Sequence, residues 1–133
     1  PRFIEARKRN WKQLRELLDD AQDKLILPEP ALGSDPSWFG FLISIKPESG
    51  LNRNTITRYI EEHNIQTRLL FSGNLIKHPC FDQIRDTDAY RVAGNLEITD
   101  FIMNNTFWIG VYPGMTDEKI KYMAKIIKEA IGK

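Results

Sequence analysis

Residues 67–81, TRLLFSGNLIKHPCF, hold the densest group of side chains in this sequence whose types and spacing suit chemistry. An apolar, β-like run from Thr67 to Phe71 breaks at Ser72-Gly73-Asn74, and a loop carrying Lys77, His78 and Pro79 follows. Strand ends that break this way, with polar side chains around them, are common places to hold a polar ligand. Arg68 brings a guanidinium that could grip a carboxylate or phosphate, or pair with a neighbouring acid. Asn74 suits a sugar hydroxyl or carbonyl, and equally a turn that tolerates positive φ. Asn104 and Asn105 stand just before an aromatic run, where two amides suit hydroxyl recognition and one of them suits a cap. Phe107 and Trp108 point to opposite faces of that run, so at most one lines a given pocket.

The other reactive side chains make no catalytic set. Cys80 has His78 two residues away, but neighbours in a chain rarely place a thiol and an imidazole in catalytic contact, and a small buried thiol is the commoner case. His63 falls in the last turn of a predicted helix, where an imidazolium suits the helix C-terminus. Asp19-Asp20 and Asp86/Asp88 lie in polar surroundings with no apolar frame to raise a carboxyl pKa. No phosphate loop or nucleophile elbow is present. A single cysteine excludes an internal disulfide, a zinc cluster or an iron–sulfur cluster built from this chain alone, and it suits a reducing cytoplasm. A net charge of +1 sets up no field toward nucleic acid or an anionic membrane. The cluster Arg2, Arg7, Lys8, Arg9, Lys12 reads as the solvated face of a helix. No run approaches the ~20 apolar residues of a membrane span. These residues describe a domain that could supply one wall of a site.

Elements must position that wall. At 133 residues, 41% apolar and 28% charged, the chain reads as one domain with a real core. It opens Pro1-Arg2-Phe3 directly into an amphipathic helix from about Phe3 to Lys24, the pattern of a piece of a longer protein. Residues 28–37 are a proline-rich loop. The near-continuous apolar run Trp38–Ile45 predicts a strand buried on both faces. Asn52 reads as an N-cap with a Leu51/Ile56 staple, and Asn64 as a left-handed helix end. With Thr67–Phe71 as the next strand, this argues for a right-handed crossover between parallel strands. Residues 72–95 form a long excursion with short helical pieces at Pro79–Ile84 and Asp86–Tyr90. A short helix over Leu96–Met103, a strand over Thr106–Tyr112, and a helix from Thr116 with a Met115/Ile120 staple, closed by Gly132, complete the chain. The fold class is α+β: a small mixed sheet of three or four strands with helices on one face.

TRLLFSGN at 67–74 and RVAGNLEITDFIMNNTFWIGVYPGMT at 91–116 closely resemble the C-terminal part of nucleotide-sugar 3-dehydratases of lipopolysaccharide biosynthesis. These belong to the DegT-type sugar aminotransferases, vitamin B6 enzymes of the aspartate-aminotransferase fold. EARKRNWKQLRELL at 5–18 resembles the helix that enters their small domain. The resemblance implies the C-terminal small domain of a cytoplasmic enzyme that removes the C3 hydroxyl of a nucleotide-linked 4-keto-6-deoxyhexose for O-antigen sugars. It implies pyridoxal or pyridoxamine phosphate held by an N-terminal large domain, with histidine replacing the usual lysine, and in some members an iron–sulfur cluster there. It also implies a homodimer, with no nucleic-acid or membrane partner. It carries Arg68, Asn74, His78, Asn104 and Asn105 over as the substrate-facing wall, with no catalytic residue on this chain; His78 is not the family's catalytic histidine. A sugar aminotransferase small domain is the near alternative. A free-standing binding module is the distant one, and it would expose no large apolar face.

Overall fold

The computed structural model describes residues 1–133. Helix α1, Arg2–Leu17, buries Asn10, Trp11 and Leu14 along one face. It ends earlier than its periodicity suggests, and a 3-10 turn at Asp19–Ala21 carries the apolar pattern on. Two aspartates at the negative end of a helix dipole oppose its extension. Arg15 holds the turn by bonding Asp19 at 2.9 Å and Glu29.

Strand β1, Leu25–Ile26, was not visible in the sequence as a strand. It pairs antiparallel with β2, Gly40–Ile45, in the register Leu25↔Ile45. Helix α2, Arg53–Glu62, starts where expected: the Asn52 side chain accepts from the Asn54 and Thr55 amides. Asn64 takes the left-handed conformation at its end, with φ 61°. Strand β3, Thr67–Leu69, follows. In the long excursion only Leu75–Lys77 and Pro79–Phe81 form helical turns, and Asp86–Tyr90 forms none. Helix α3, Glu97–Asn105, runs straight into β4, Thr106–Gly110, and α4, Asp117–Ala130, closes the chain with Thr116 as its N-cap.

The sheet order is β1-β2-β4-β3. Every pairing is antiparallel, so the α+β class holds while the mixed sheet gives way to an antiparallel one. Strands β2 and β3 do run in the same direction, because each is antiparallel to β4, but β4 enters between them. A strand–helix–strand pattern gives relative direction; it does not say whether a later strand will fill the gap.

Helices α1, α2 and α4 pack on one face of the sheet, around Phe41, Ile43, Ile45, Phe107 and Ile109. Trp11 stacks on Trp38 at 4.4 Å between ring centroids. The second face is different. Strand β2 was expected to be buried on both sides, yet Leu42 is 39% exposed and the neighbouring Phe39 is 61% exposed. Only the end of this face near Thr106 is covered, where α3 packs against β2 and β4 and the Ser44 and Thr106 hydroxyls share a hydrogen bond of 2.6 Å. Gly40 lets the Trp108 indole lie flat against β2, since a Cβ there would fall 2.7 Å from Trp108 Cε3.

Candidate functional site

The five residues expected to face a substrate fall into three places. Arg68 projects from the edge strand β3 on the open face, opposite Trp108. Its Nη1 donates to the Thr67 carbonyl at 3.1 Å. With the Gln66 amide turned to place its oxygen toward Arg68, that oxygen accepts from Nη1 at 3.1 Å and Nη2 at 2.9 Å. No carboxylate lies within ion-pair distance of Arg68, so the neighbouring-acid alternative is not what the fold builds. Arg68, Gln66, Trp108, Tyr112, Met115 and Tyr122 are among the residues around a cleft of about 680 Å³. Gly110 is in its floor, with open space where a Cβ would be. The cleft exists because alternation along β4 sends Phe107 into the core and Trp108 outward, as period-two reasoning indicated.

Asn74 and His78 sit on the segment after β3. Asn74 is 3% exposed and has φ −82°, so its side chain is not there to support a left-handed turn; Gly73 supplies that conformation at φ 63°. The Asn74 Nδ2 donates to Asp100 Oδ1 at 2.8 Å, and its backbone N–H donates to Met103 Sδ at 3.3 Å. Lys77 Nζ donates to the other oxygen, Asp100 Oδ2, at 2.8 Å. These two donors hold the Asp100 carboxyl below its ordinary range, Lys77 contributing most and Asn74 next. His78 donates from Nε2 to the Ser72 carbonyl at 2.6 Å, closing the segment on itself.

Asn104 and Asn105 are the last two residues of α3, and only Asn105 is engaged by the helix. Asn105 Nδ2 donates to the Phe101 carbonyl at 3.1 Å, and Asn104 is exposed. Arg53 reaches from α2 to the Met103 carbonyl at 2.6 Å and fixes this end of α3. With no acid among its partners, desolvation pulls the Arg53 pKa down. The other reactive residues have local duties. His63 donates from Nδ1 to the Tyr59 carbonyl at 2.7 Å and stacks on that ring, the helix-end role expected of it. Cys80 is exposed, not buried.

Sequence reasoning missed Asp100 and the Tyr112/Tyr122 side of the cleft. Asp100 and Met103 are three apart on one helix and so share a face, a signal that was readable once α3 was recognised. The contribution of Tyr122 depends on α4 reaching the loop before β3, where its hydroxyl donates to the His63 carbonyl at 3.2 Å.

Vitamin B6 chemistry needs an amine or equivalent at the cofactor carbonyl, a cup for its phosphate and a partner for its ring nitrogen. The residues of this chain do not fit that group by themselves. Lys77, Lys128 and Lys133 pair with Asp100, Asp20 and Asp23, Lys8 pairs with Asp35, and Lys24 donates to the Ile131 carbonyl at 2.6 Å. Each of these ammonium groups is committed to a partner within the domain, so no step of cofactor chemistry is derived from them.

The sequence model of the DegT/DnrJ/EryC1/StrS aminotransferase family matches residues 1–128. The chain is 46% identical over 131 residues to dTDP-4-dehydro-2,6-dideoxy-D-glucose 3-dehydratase of Saccharopolyspora spinosa, covering 98% of this chain and 27% of that protein. It is 47% identical over 130 residues to the lipopolysaccharide biosynthesis protein RfbH of Salmonella typhimurium, covering 98% of this chain and 29% of that one. The fold superposes on a solved structure of Escherichia coli GDP-4-keto-6-deoxy-D-mannose-3-dehydratase with bound hydrated PLP, with a TM-score of 0.82 and 26% identity, over 96% of this chain and 31% of the other. The chain thus spans less than a third of the length of each of these relatives. A match running from the first residue to the last turn of α4 places all four helices and the whole sheet inside one family pattern, and the chain belongs to the DegT/DnrJ/EryC1/StrS aminotransferase family.

Proposed function

We propose that these 133 residues are the C-terminal small domain of a longer B6-dependent enzyme that removes the C3 hydroxyl of a nucleotide-linked 4-keto-deoxyhexose. The observation that carries this reading is the identity of 46% to a sugar-nucleotide 3-dehydratase along 98% of the chain. The domain's part is to bind and orient. Arg68 presents an oriented guanidinium with no acid partner, and His78 of the Ser72–His78 segment and the end of α3 with Asn104 and Asn105 supply polar groups to a sugar or its phosphates. The cofactor, when bound by the remainder of the enzyme, supplies the electron sink for loss of the hydroxyl. The chain's residues exclude water and hold the substrate.

The open sheet face supports the same reading. A strand with the apolar character of β2 is normally covered on both sides, and contiguous exposed apolar surface marks a contact. Phe39, Leu42 and Trp108 would be covered by the large domain of the same polypeptide. The lone cysteine, the near-neutral charge and a biosynthetic sugar-nucleotide substrate together suit the cytoplasm and a role in O-antigen sugars. No helix is long and apolar enough to cross a membrane. An iron–sulfur cluster, if the enzyme uses one, and the dimer contacts would belong to the large domain.

The test uses the 133-residue chain directly. Mixed with pyridoxal phosphate and a nucleotide-linked 4-keto sugar, it is expected to give no turnover and, after gel filtration removes unbound cofactor, to carry no cofactor absorbance band. A stoichiometric covalent adduct of the cofactor on this chain would overturn the assignment of cofactor binding to another domain. The near alternative, an aminotransferase, differs in the product: transfer of an amino group to the sugar by the longer polypeptide would select it.

A further inference from the structure

We infer that Asp100 is a positioning residue for substrate binding, clamping the Ser72–His78 segment to α3 so that one fixed side of that segment faces the ligand. The inference rests on the reading above, in which this segment forms part of the substrate wall.

Both carboxylate oxygens of Asp100 are engaged, and by two residues of the same segment. Oδ1 accepts from Asn74 Nδ2 and Oδ2 accepts from Lys77 Nζ, each at 2.8 Å. Two anchors three residues apart in the chain fix a segment in rotation as well as position; one anchor would leave it free to pivot. A third contact lies beneath them. Gly73 rests on Met103 so closely that a Cβ would run into the Met103 side chain, and the Asn74 amide points at the sulfur of the same residue. Met103 is in turn held from the other side by Arg53. The clamp is therefore continuous from α2 through α3 to the loop.

This arrangement changes the role of Asn74. Its side chain is buried and committed to Asp100, so it orients the loop and does not reach a ligand. Lys77 is likewise committed through its ammonium. The side of the segment left free carries the exposed Leu75 and the part-exposed His78, whose ring is held by Ser72. Asp100 itself would touch no substrate atom. It would act through the residues it holds, which makes its effect one of binding more than of chemistry.

The test compares Asp100→Ala, Asp100→Asn and Asp100→Glu by two independent readouts. The first is amide hydrogen exchange in the 133-residue chain. Asp100→Ala is expected to raise exchange at residues 73–78 by about tenfold or more while Ile43 and Ile109 stay unchanged, because local opening is separable from global unfolding. Asp100→Asn keeps an acceptor for Asn74 and loses the charge for Lys77, so it should fall between wild type and alanine. The second readout is steady-state kinetics of the full-length polypeptide carrying this domain. Asp100→Ala is expected to raise KM for the nucleotide sugar about tenfold with kcat nearly unchanged, and Asp100→Glu to recover part of that loss. Unchanged exchange at 73–78, or a uniform rise across the core, overturns the clamp. Selective loosening with KM unchanged keeps the clamp but removes the segment from the substrate wall. A full-length enzyme that leaves nucleotide-linked 4-keto sugars untouched overturns the functional reading on its own.

Discussion

Leu42 of β2 stands directly opposite Trp108 of β4, on the face of the sheet turned away from the three packing helices. Phe39 meets the same indole edge-on at 5.4 Å. This apolar cluster has few contacts above it, while the outer surfaces of α1 and α4 are laced with ion pairs such as Lys12–Glu16 and Lys125–Glu129. The contrast sets an exposed apolar face against an ion-paired one, as the proposed covering by a further domain requires.

If the second face is a contact surface, polar replacement there should help the isolated chain and harm a longer one. Leu42→Ser together with Phe39→Ser is expected to lower binding of a hydrophobic dye to the 133-residue chain by about half, with little loss of helix signal. In the full-length polypeptide the same pair should weaken domain association, read as faster proteolysis between the domains. Equal dye binding before and after the change would remove this face from consideration.

Gly73 carries a second prediction. It combines φ 63° with contact against Met103, so a side chain there meets both backbone strain and a steric clash. Gly73→Ala is expected to cost about 1–3 kcal/mol, measured by urea unfolding. Gly50→Ala shares the positive φ but has open space around the position, so it should cost only the strain, about 1 kcal/mol.

Acid should loosen the loop before it unfolds the core. The Asp100 carboxyl titrates below its unfolded value because Lys77 and Asn74 bond the charged form. A depressed carboxyl stabilises the native state above the unfolded pKa of about 3.9, and that stabilisation is lost as pH falls through the lower folded value. Asp20 and Asp23 behave in the same direction through Lys128 and Lys133. Asp100→Asn should flatten the acid limb of a pH–stability curve and remove the acid-induced loss of exchange protection at residues 73–78, measured relative to the intrinsic rate at each pH. A curve identical to wild type would show that Asp100 is not titrating with folding.

Much of the architecture was legible because local rules and packing agree in it. Asn52 caps α2, Thr116 caps α4, Asn64 takes the left-handed turn, and Phe107 and Trp108 part to opposite faces, each as residue type and period dictate. Strand order was not legible, since the insertion of β4 between β2 and β3 depends on pairings across most of the chain. Strand β1 was lost because two residues carry no period. At the site, the type of Asn74 was informative but its direction was not: an amide after a strand can face a ligand or turn inward, and the carboxylate that turns it inward is 26 residues away. For Arg68 the residue type left a ligand contact and an ion pair equally open, and only the fold removes the ion pair, by surrounding the guanidinium with the Thr67 carbonyl and the Gln66 amide.

Arg68 gives a fourth expectation. It is exposed and makes no ion pair, so Arg68→Ala should change stability by under about 0.5 kcal/mol. In the full-length polypeptide it should raise KM about tenfold or more if the guanidinium meets a phosphate or carboxylate of the ligand. Arg68→Lys would keep the charge and lose the two-pronged geometry, recovering only part of the loss. A KM unchanged in both variants would take Arg68 out of the substrate wall.

The most direct measurement is mass spectrometry of a nucleotide-linked 4-keto-deoxyhexose incubated with pyridoxamine phosphate and either the full-length polypeptide or the 133-residue chain. The expected result is a product lighter by one oxygen with the first, its C3 hydroxyl replaced by hydrogen while pyridoxamine phosphate gives up two electrons and its amine to become pyridoxal phosphate, and untouched substrate with the second. Loss of the C3 hydroxyl with the short chain alone, or no such loss with the long one, would contradict the proposed function.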